Sequence, residues 1–495
     1  MRQTPERRKF LKTGAIAAAG SVAAGWFHSA AAADRDAATS RAEHHEPTDA
    51  ADEYDGFSRY RPTRGNDPDS DYYLGKLVPG FRSAADGPAP FIAPDLDKLP
   101  WKLVDGAKEF HLVPQAVSRE FLPGYAMRVY GFNGSMPGPT IEVAQGDRVR
   151  IVVHNDLPEA TFIHWHGFEL PIQFDGAAEL TQNPIEPGGE FVYEFEVHEE
   201  GTFFYHSHVP MQEAFGMVGW FIVHPRKVWD PPVDRDFGII FQNFHIEPTQ
   251  TISDSWAMDW SWHTMNGRSG PFATPMVVKH GERVRIRIMD FSPMQHHPIH
   301  IHGHTFWVTG HEGARAPKSA WVPRNTELIA IAQASEFEFI ANNPGDWMFH
   351  CHMVHHMMNH MVRQAGPRMR NDVSVDAYLA DLNNPPQATL PREAGFGTPG
   401  YPQKMQGMEM SPEFMQRIWS RREVQGMRAP WPMAIMGLMT AVRVLPEDLY
   451  RQVIESDEPI EKGAVFAEIV RRFGDPSVYQ PAMQMPMDHG MGNRS

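Results

Sequence analysis

Four times in this 495-residue chain two histidines stand one residue apart: His164/His166, His206/His208, His300/His302 and His350/His352. In an extended strand, residues i and i+2 project from the same face, so each pair can present two imidazoles to one place. Imidazole is the commonest side-chain ligand for first-row transition metals. One such pair says little, because an exposed polar strand gives the same pattern. Four pairs at matched places of an internal repeat point to metal. The fourth pair encloses the chain's single cysteine, as His350-Cys351-His352. Strand alternation turns Cys351 to the face opposite its neighbours, so one strand carries ligands for two sites. His297 lies upstream, His356 five residues after the cysteine and Met361 ten after. Two His, one Cys and a weakly held Met are the ligands of a blue-copper electron-transfer centre.

A repeated scaffold must position these residues. Asn133-Gly134 with Gly146–Ile151 recurs as Asn266-Gly267 with Gly281–Ile286. His164-Trp165-His166-Gly167 recurs as His300-Ile301-His302-Gly303, an offset of 136. Gly201–His208 recurs as Gly345–His352, an offset of 144. Short β-rich runs such as Met127–Phe132, Arg148–Val153 and Phe191–Val197 are separated by Gly, Pro and Asn. Many short strands with such turns predict β-sandwiches. The repeat predicts two of them, at about 106–228 and 229–366. By the offsets, Cys351 matches Ser207, His356 matches Gln212, His297 matches Thr161 and Met361 matches Met217. Two hydroxyls and an amide cannot replace a thiolate and two imidazoles, so only the second domain should carry the cysteine centre.

The ends of the chain read differently. Arg7-Arg8-Lys9-Phe10-Leu11-Lys12, a small-residue apolar stretch and Ala30–Ala33 look like a twin-arginine export signal over residues 1–33. Periplasmic or secreted placement follows from it. Residues 34–105 are rich in Asp, Arg, Pro and Gly and predict a polar extension with little regular structure. Residues 367–495 predict a Met-rich, partly helical C-terminal extension, with helices over Pro412–Gln425 and Pro446–Phe473. One Cys excludes an intrachain disulfide framework and any Cys-only zinc or iron–sulfur site. The net charge of −16 argues against nucleic acid as a partner. No run of 18 apolar residues occurs, so no membrane-spanning helix is expected.

The four segments His164-Trp-His-Gly, His206-Ser-His, His297-Pro-Ile-His-Ile-His-Gly-His and His350-Cys-His with His356 and Met361 resemble the four copper signatures of the multicopper oxidase (laccase) family. Asn133–Ile141 is similar to that family's first-domain opening. The resemblance covers roughly residues 106–366. It implies an all-β fold of two cupredoxin-like Greek-key β-sandwich domains. It also implies about four coppers per chain. His297, Cys351, His356 and Met361 would hold the type 1 copper. His164 and His300 would hold the type 2 copper, and His166, His206, His208, His302, His350 and His352 the type 3 pair. Only 89 residues separate His208 from His297, which leaves no room for an intervening domain and resembles the two-domain, small-laccase type. That type implies a homotrimer with its trinuclear cluster between subunits.

The implied activity is one-electron oxidation of a small reducing substrate coupled to four-electron reduction of dioxygen to water. Electrons would pass from the Cys351 sulfur through the backbone to His350 and His352. Asp175, in Phe174-Asp175-Gly176, resembles the family's acidic residue near the type 2 copper and is expected to orient water and relay protons. Phenols, aromatic amines, Cu(I), Mn(II) and Fe(II) are the candidate reductants. Met294, Met348, Met353, Met357 and Met358 near the cysteine centre, with thirteen more after residue 366, favour Cu(I) if they are ligands and nothing in particular if they fill gaps. A copper nitrite reductase-like enzyme needs only one catalytic copper and has no use for eight cluster histidines. A non-enzymatic copper-binding protein has no use for a cysteine centre wired to a cluster.

Overall fold

The computed structural model describes residues 82–245, 262–357 and 411–474. Two β-sandwiches follow each other, built to one plan. In the first, Ala107–Leu112 and Arg148–His154 pair in parallel and Glu190–Glu196 lies antiparallel beside them. Facing them is a four-stranded sheet in the order Gly138–Ala144, Val218–His224, Gly201–Ser207, Ile163–His166. In the second, Arg235–Phe244 and Arg283–Asp290 pair in parallel and Ala334–Ile340 lies antiparallel beside them. The facing sheet has the order Met276–Lys279, Met439–Leu445, Gly345–Cys351, His297–Ile301, Thr326–Ile329. The same parallel pairings at the same places in both domains show the repeat in three dimensions.

Alternation positions the functional side chains. In Gly201–Ser207, Phe203 and Tyr205 point into the first core with Ile163 and Trp165. Phe204 points outward against Phe291 and Met289 of the second domain. In Gly345–Cys351, Phe349 and Cys351 enter the second core with Ile299 and Ile301. The interleaved histidines therefore stand on the outer faces of the two sheets.

A buried charged layer joins the domains. Arg287 pairs with Asp236 at 2.8 Å and Glu336 at 3.1 Å, and Arg285 with Glu338 at 3.0 Å. Thr202 of the first domain donates to Glu336 at 2.5 Å and accepts from Arg287 at 2.7 Å. The surrounding guanidiniums hold the Glu338 carboxyl down at about 2 against the cost of its burial. Removing one partner from such a set leaves a buried charge uncompensated.

Two parts differ from the sequence expectation. Residues 82–105 belong to the fold: Phe91–Ile92 adds in parallel to Arg235–Phe244, Trp101–Val104 pairs with Ala107–Leu112, and Phe91 is fully buried. Apolar anchors within a polar stretch are enough for this, because each adds to an existing sheet edge. The larger difference is Met439–Leu445. Read as part of an extension, it is a central strand of the second domain, fully buried between Met276–Lys279 and Gly345–Cys351. It is the counterpart of Val218–His224. Helices form at Pro412–Trp419, Glu447–Ile454 and Ala464–Phe473, so the stretch expected over 412–425 ends at Trp419 and the one expected over 446–473 is two helices. Phe414, Ile418, Trp431 and Ile435 pack with Met439 and Ala441 over the outer face of the ligand sheet. Among the described residues no helix is long and apolar enough to cross a membrane.

Candidate metal centres

The cysteine centre lies at one end of the second core. Cys351 Sγ is 3.5 Å from His297 Nδ1 and 3.4 Å from His356 Nδ1, and the two nitrogens are 3.1 Å apart. All three residues are fully buried. The centre of such a triangle lies ~2 Å from each corner, the length of a first-row metal–imidazole bond. The trigonal His2Cys arrangement is the one that blue copper takes. Met361 lies outside the described residues.

Each ligand ring is held from behind. Ser292 Oγ is 2.8 Å from His297 Nε2, and Asp290 is 3.7 Å from the same nitrogen. His263 stacks on His356 with ring centroids 4.2 Å apart. His263 Nδ1 donates to Asn243 Oδ1 at 2.9 Å, and Asn243 donates to Gln295 at 2.7 Å. Sequence spacing gave no sign of Ser292, Asp290 or His263; they arrive from strand ends and from a neighbouring strand. Burial lowers His356 to about 3, and His297 and His263 well below the usual imidazole range. Burial pushes the Cys351 thiol up to about 12. A bound cation must therefore displace the thiol proton, while the imidazoles are already in their ligating form.

The first domain fills the equivalent triangle with hydrogen bonds. Thr161 Oγ1 and Ser207 Oγ each donate to Gln212 Oε1 at 2.7 Å, and Gln212 Nε2 donates to Glu159 and to the Ala160 carbonyl at 2.9 Å. No thiolate or imidazole stands there, and the oxygens satisfy one another.

The histidine pairs gather into two separate groups. In the first domain, ligand nitrogens of His164, His166 and His206 lie within 4.8 Å of one another. The His208 ring is 5.5 Å from that of His164. In the second, His300, His302 and His350 form the same arrangement, and the His352 ring is 5.4 Å from that of His350. Backbone carbonyls orient the rings. His164 Nδ1 donates to Asp175 O at 2.7 Å, His206 Nδ1 to Ser207 O at 2.7 Å and His350 Nδ1 to Cys351 O at 2.8 Å. His300 Nδ1 does the same with Asn325 O. These bonds fix the tautomer and leave Nε2 free for metal. Burial lowers His206 to about 3, and His166 and His350 to about 4.

Asp175 meets this group twice, through its carbonyl and through a carboxylate oxygen 3.6 Å from His164 Nδ1. Glu213, which sequence reading did not single out, stands 3.8 Å from His206 Nδ1, and burial raises its carboxyl to about 7. Of the methionines near the cysteine centre, Met353 packs on the second core and Met348 and Met357 on the helical cover. Met294 is exposed, and Met358 lies outside the described residues.

Two family models, each described as multicopper oxidase, match residues 115–228 and 244–367. Copper resistance protein A of Pseudomonas syringae pv. tomato is 41% identical over 271 residues, 44% of this chain and 43% of that protein. Laccase-19 of Oryza sativa subsp. japonica is 32% identical over 249 residues, 46% of this chain and 40% of that protein. The chain thus spans less than half the length of these curated relatives. The solved multicopper oxidase mgLAC aligns at a TM-score of 0.47 with 30% identity, over 51% of this chain and 81% of that one. Each matched segment carries two of the four histidine pairs, and the second also carries the cysteine centre. With its two cupredoxin-like sandwiches, the chain belongs to the multicopper oxidase family.

Proposed function

We propose that this protein is a laccase-like oxidase that takes electrons singly from a small reducing substrate and delivers them to dioxygen, forming water. One observation carries the reading: neighbouring residues of one strand serve two sites. Cys351 faces inward to His297 and His356, while His350 and His352 face outward into the histidine group. The His350 Nδ1 to Cys351 O bond adds a second link between them. Copper, when bound, supplies the one-electron chemistry. The residues hold it: His297, Cys351 and His356 at the type 1 centre, His164 and His300 at type 2, and His166, His206, His208, His302, His350 and His352 at the type 3 pair. About four coppers per chain follow. Asp175 holds His164 and passes protons at that edge.

A homotrimer completes the cluster. Each four-histidine group is half of a trinuclear site and stands on an outer sheet face. Both domains expose apolar side chains close in sequence or strand register to these histidines or to Asp175: Ile172, Leu180 and Met211 in the first domain, Leu328 and Val354 in the second. Such patches mark association surfaces. Docking the first domain of one subunit on the second domain of the next brings eight histidines together.

For the reductant we favour phenols and Cu(I), the latter because a relative is named for copper resistance and Met294 is exposed near His297. Export to the periplasm or beyond, directed by a twin-arginine signal at residues 1–33, suits both. Oxygen uptake by the copper-loaded protein with Cu(I), Mn(II), Fe(II) and a phenol in parallel tests the activity. Cys351→Ser is expected to abolish the blue absorption and lower turnover at least ~10³-fold, an electron-transfer barrier of about 4 kcal/mol. About three coppers should remain per chain. Blue colour persisting in that variant would refute the assignment.

A further inference from the structure

The two domains let each ligand position be read against its counterpart, and one position does not match the sequence spacing. In the first domain Met217 follows Gly216, whose φ is +110°. Its carbonyl accepts from Ser207 N at 3.1 Å, and its own N–H donates to Gln212 O at 3.2 Å. The next residue, Val218, pairs with His206. In the second domain the same description fits Leu438. It follows Gly437, whose φ is +60°. Its carbonyl accepts from Cys351 N at 3.0 Å, and its N–H donates to His356 O at 2.9 Å. The next residue, Met439, pairs with His350. Ser207 and Gln212 are the counterparts of Cys351 and His356, so Leu438 is the counterpart of Met217. Met217 lies 10 residues after Ser207, whereas Leu438 lies 87 after Cys351.

We propose that Leu438, and not Met361, fills the axial place of the cysteine centre, which leaves that centre with three protein ligands. Leu438 is fully buried and shares a cluster with Cys351 and Ile299. Its backbone is tied to both Cys351 and His356, so its side chain starts from the point where a fourth ligand would stand. A hydrocarbon offers no lone pair. The axial ligand is one of the groups that tunes the potential of a blue-copper centre. A thioether stabilises the oxidised ion, and its replacement by isobutyl raises the potential. Such a centre suits reductants that yield electrons reluctantly, phenols before Cu(I). The inference rests on the oxidase reading and on the type 1 assignment within it.

Two near-isosteric variants of the full-length, copper-loaded protein test it: Leu438→Met and Met361→Leu. Leu–Met exchange is among the best tolerated core changes, so both are expected to fold. Copper per chain, the blue band, the electron paramagnetic resonance of the type 1 ion and its midpoint in a mediated redox titration are read for each. Leu438→Met is expected to raise the oxidised-to-reduced ratio at fixed poise at least tenfold, a 59 mV fall for a one-electron couple. Met361→Leu should leave spectrum and midpoint at wild-type values. A shifted midpoint in Met361→Leu, or an unshifted one in Leu438→Met, overturns the proposal. A wild-type protein that binds copper without blue colour would fail at the earlier step, the type 1 assignment.

Discussion

A histidine that binds metal must be neutral, and burial imposes that here before any metal arrives. His166, His206, His350 and His356 sit at about 3 to 4. An unfolded chain would protonate them near 6.5. Between those values the unfolded state binds more protons, so stability falls as pH drops through that window, by about 1.4 kcal/mol per pH unit for each fully shifted ring. The metal-free protein should therefore show a lower urea midpoint at pH 5 than at pH 7. Copper should move that loss to lower pH, because it holds the same rings in their neutral form. Equal midpoints at the two pH values would mean that these rings are solvated. Residue identity was the most legible level of the sequence: His297, Cys351 and His356 come together, as do His164, His166 and His206 in the first domain and His300, His302 and His350 in the second. His263, Ser292 and Glu213 were not legible. Their roles come from lying across a sheet or beside a turn, and no short-range pattern marks that.

Strands, rather than single residues, decide what the C-terminal part does. The sequence reads residues 367–495 as a Met-rich, partly helical extension lying outside the two sandwiches. Met439–Leu445 changes that expectation, because it is a central strand of the ligand sheet. Burying each of Val442, Val444 and Leu445 contributes about 1.5–3 kcal/mol, and the loss of all three approaches the whole stability of an ordinary domain. A chain ending at residue 410 should therefore lose the blue absorption and fail to unfold cooperatively. A chain ending at residue 474 keeps every described element and should retain both. A soluble, blue protein truncated at 410 would show that another segment can take the strand's place. Sequence reading missed this strand because Pro, Met and helix-start signals surround it, while its partner strands lie far away in the chain. The same distance hid Leu438 behind a methionine at the expected spacing.

For the whole molecule, the histidines gather as two separate sets, one in each domain, and both domains expose apolar side chains. Leu180 is 84% exposed in the first domain and Val354, two residues after His352, is 71% exposed in the second. Leu180→Asp places a charge on the surface that subunits are proposed to share. It is expected to shift light scattering from trimer toward monomer and to reduce oxygen uptake at least ~10-fold, while the blue band of the second domain stays. A monomeric wild-type enzyme with full turnover would reject the shared cluster. By itself the sequence determined the ligand chemistry, the duplication and the loss of the cysteine centre from the first domain. These are local properties: residue type, i to i+2 alternation and the register of a repeat. Only the tertiary structure decided which strand closes the second sandwich, which residue stands against Cys351, and that the histidines of the two domains stand as separate groups. Those depend on pairing between segments tens of residues apart, where sheet edges and buried apolar area choose the partner and spacing along the chain does not.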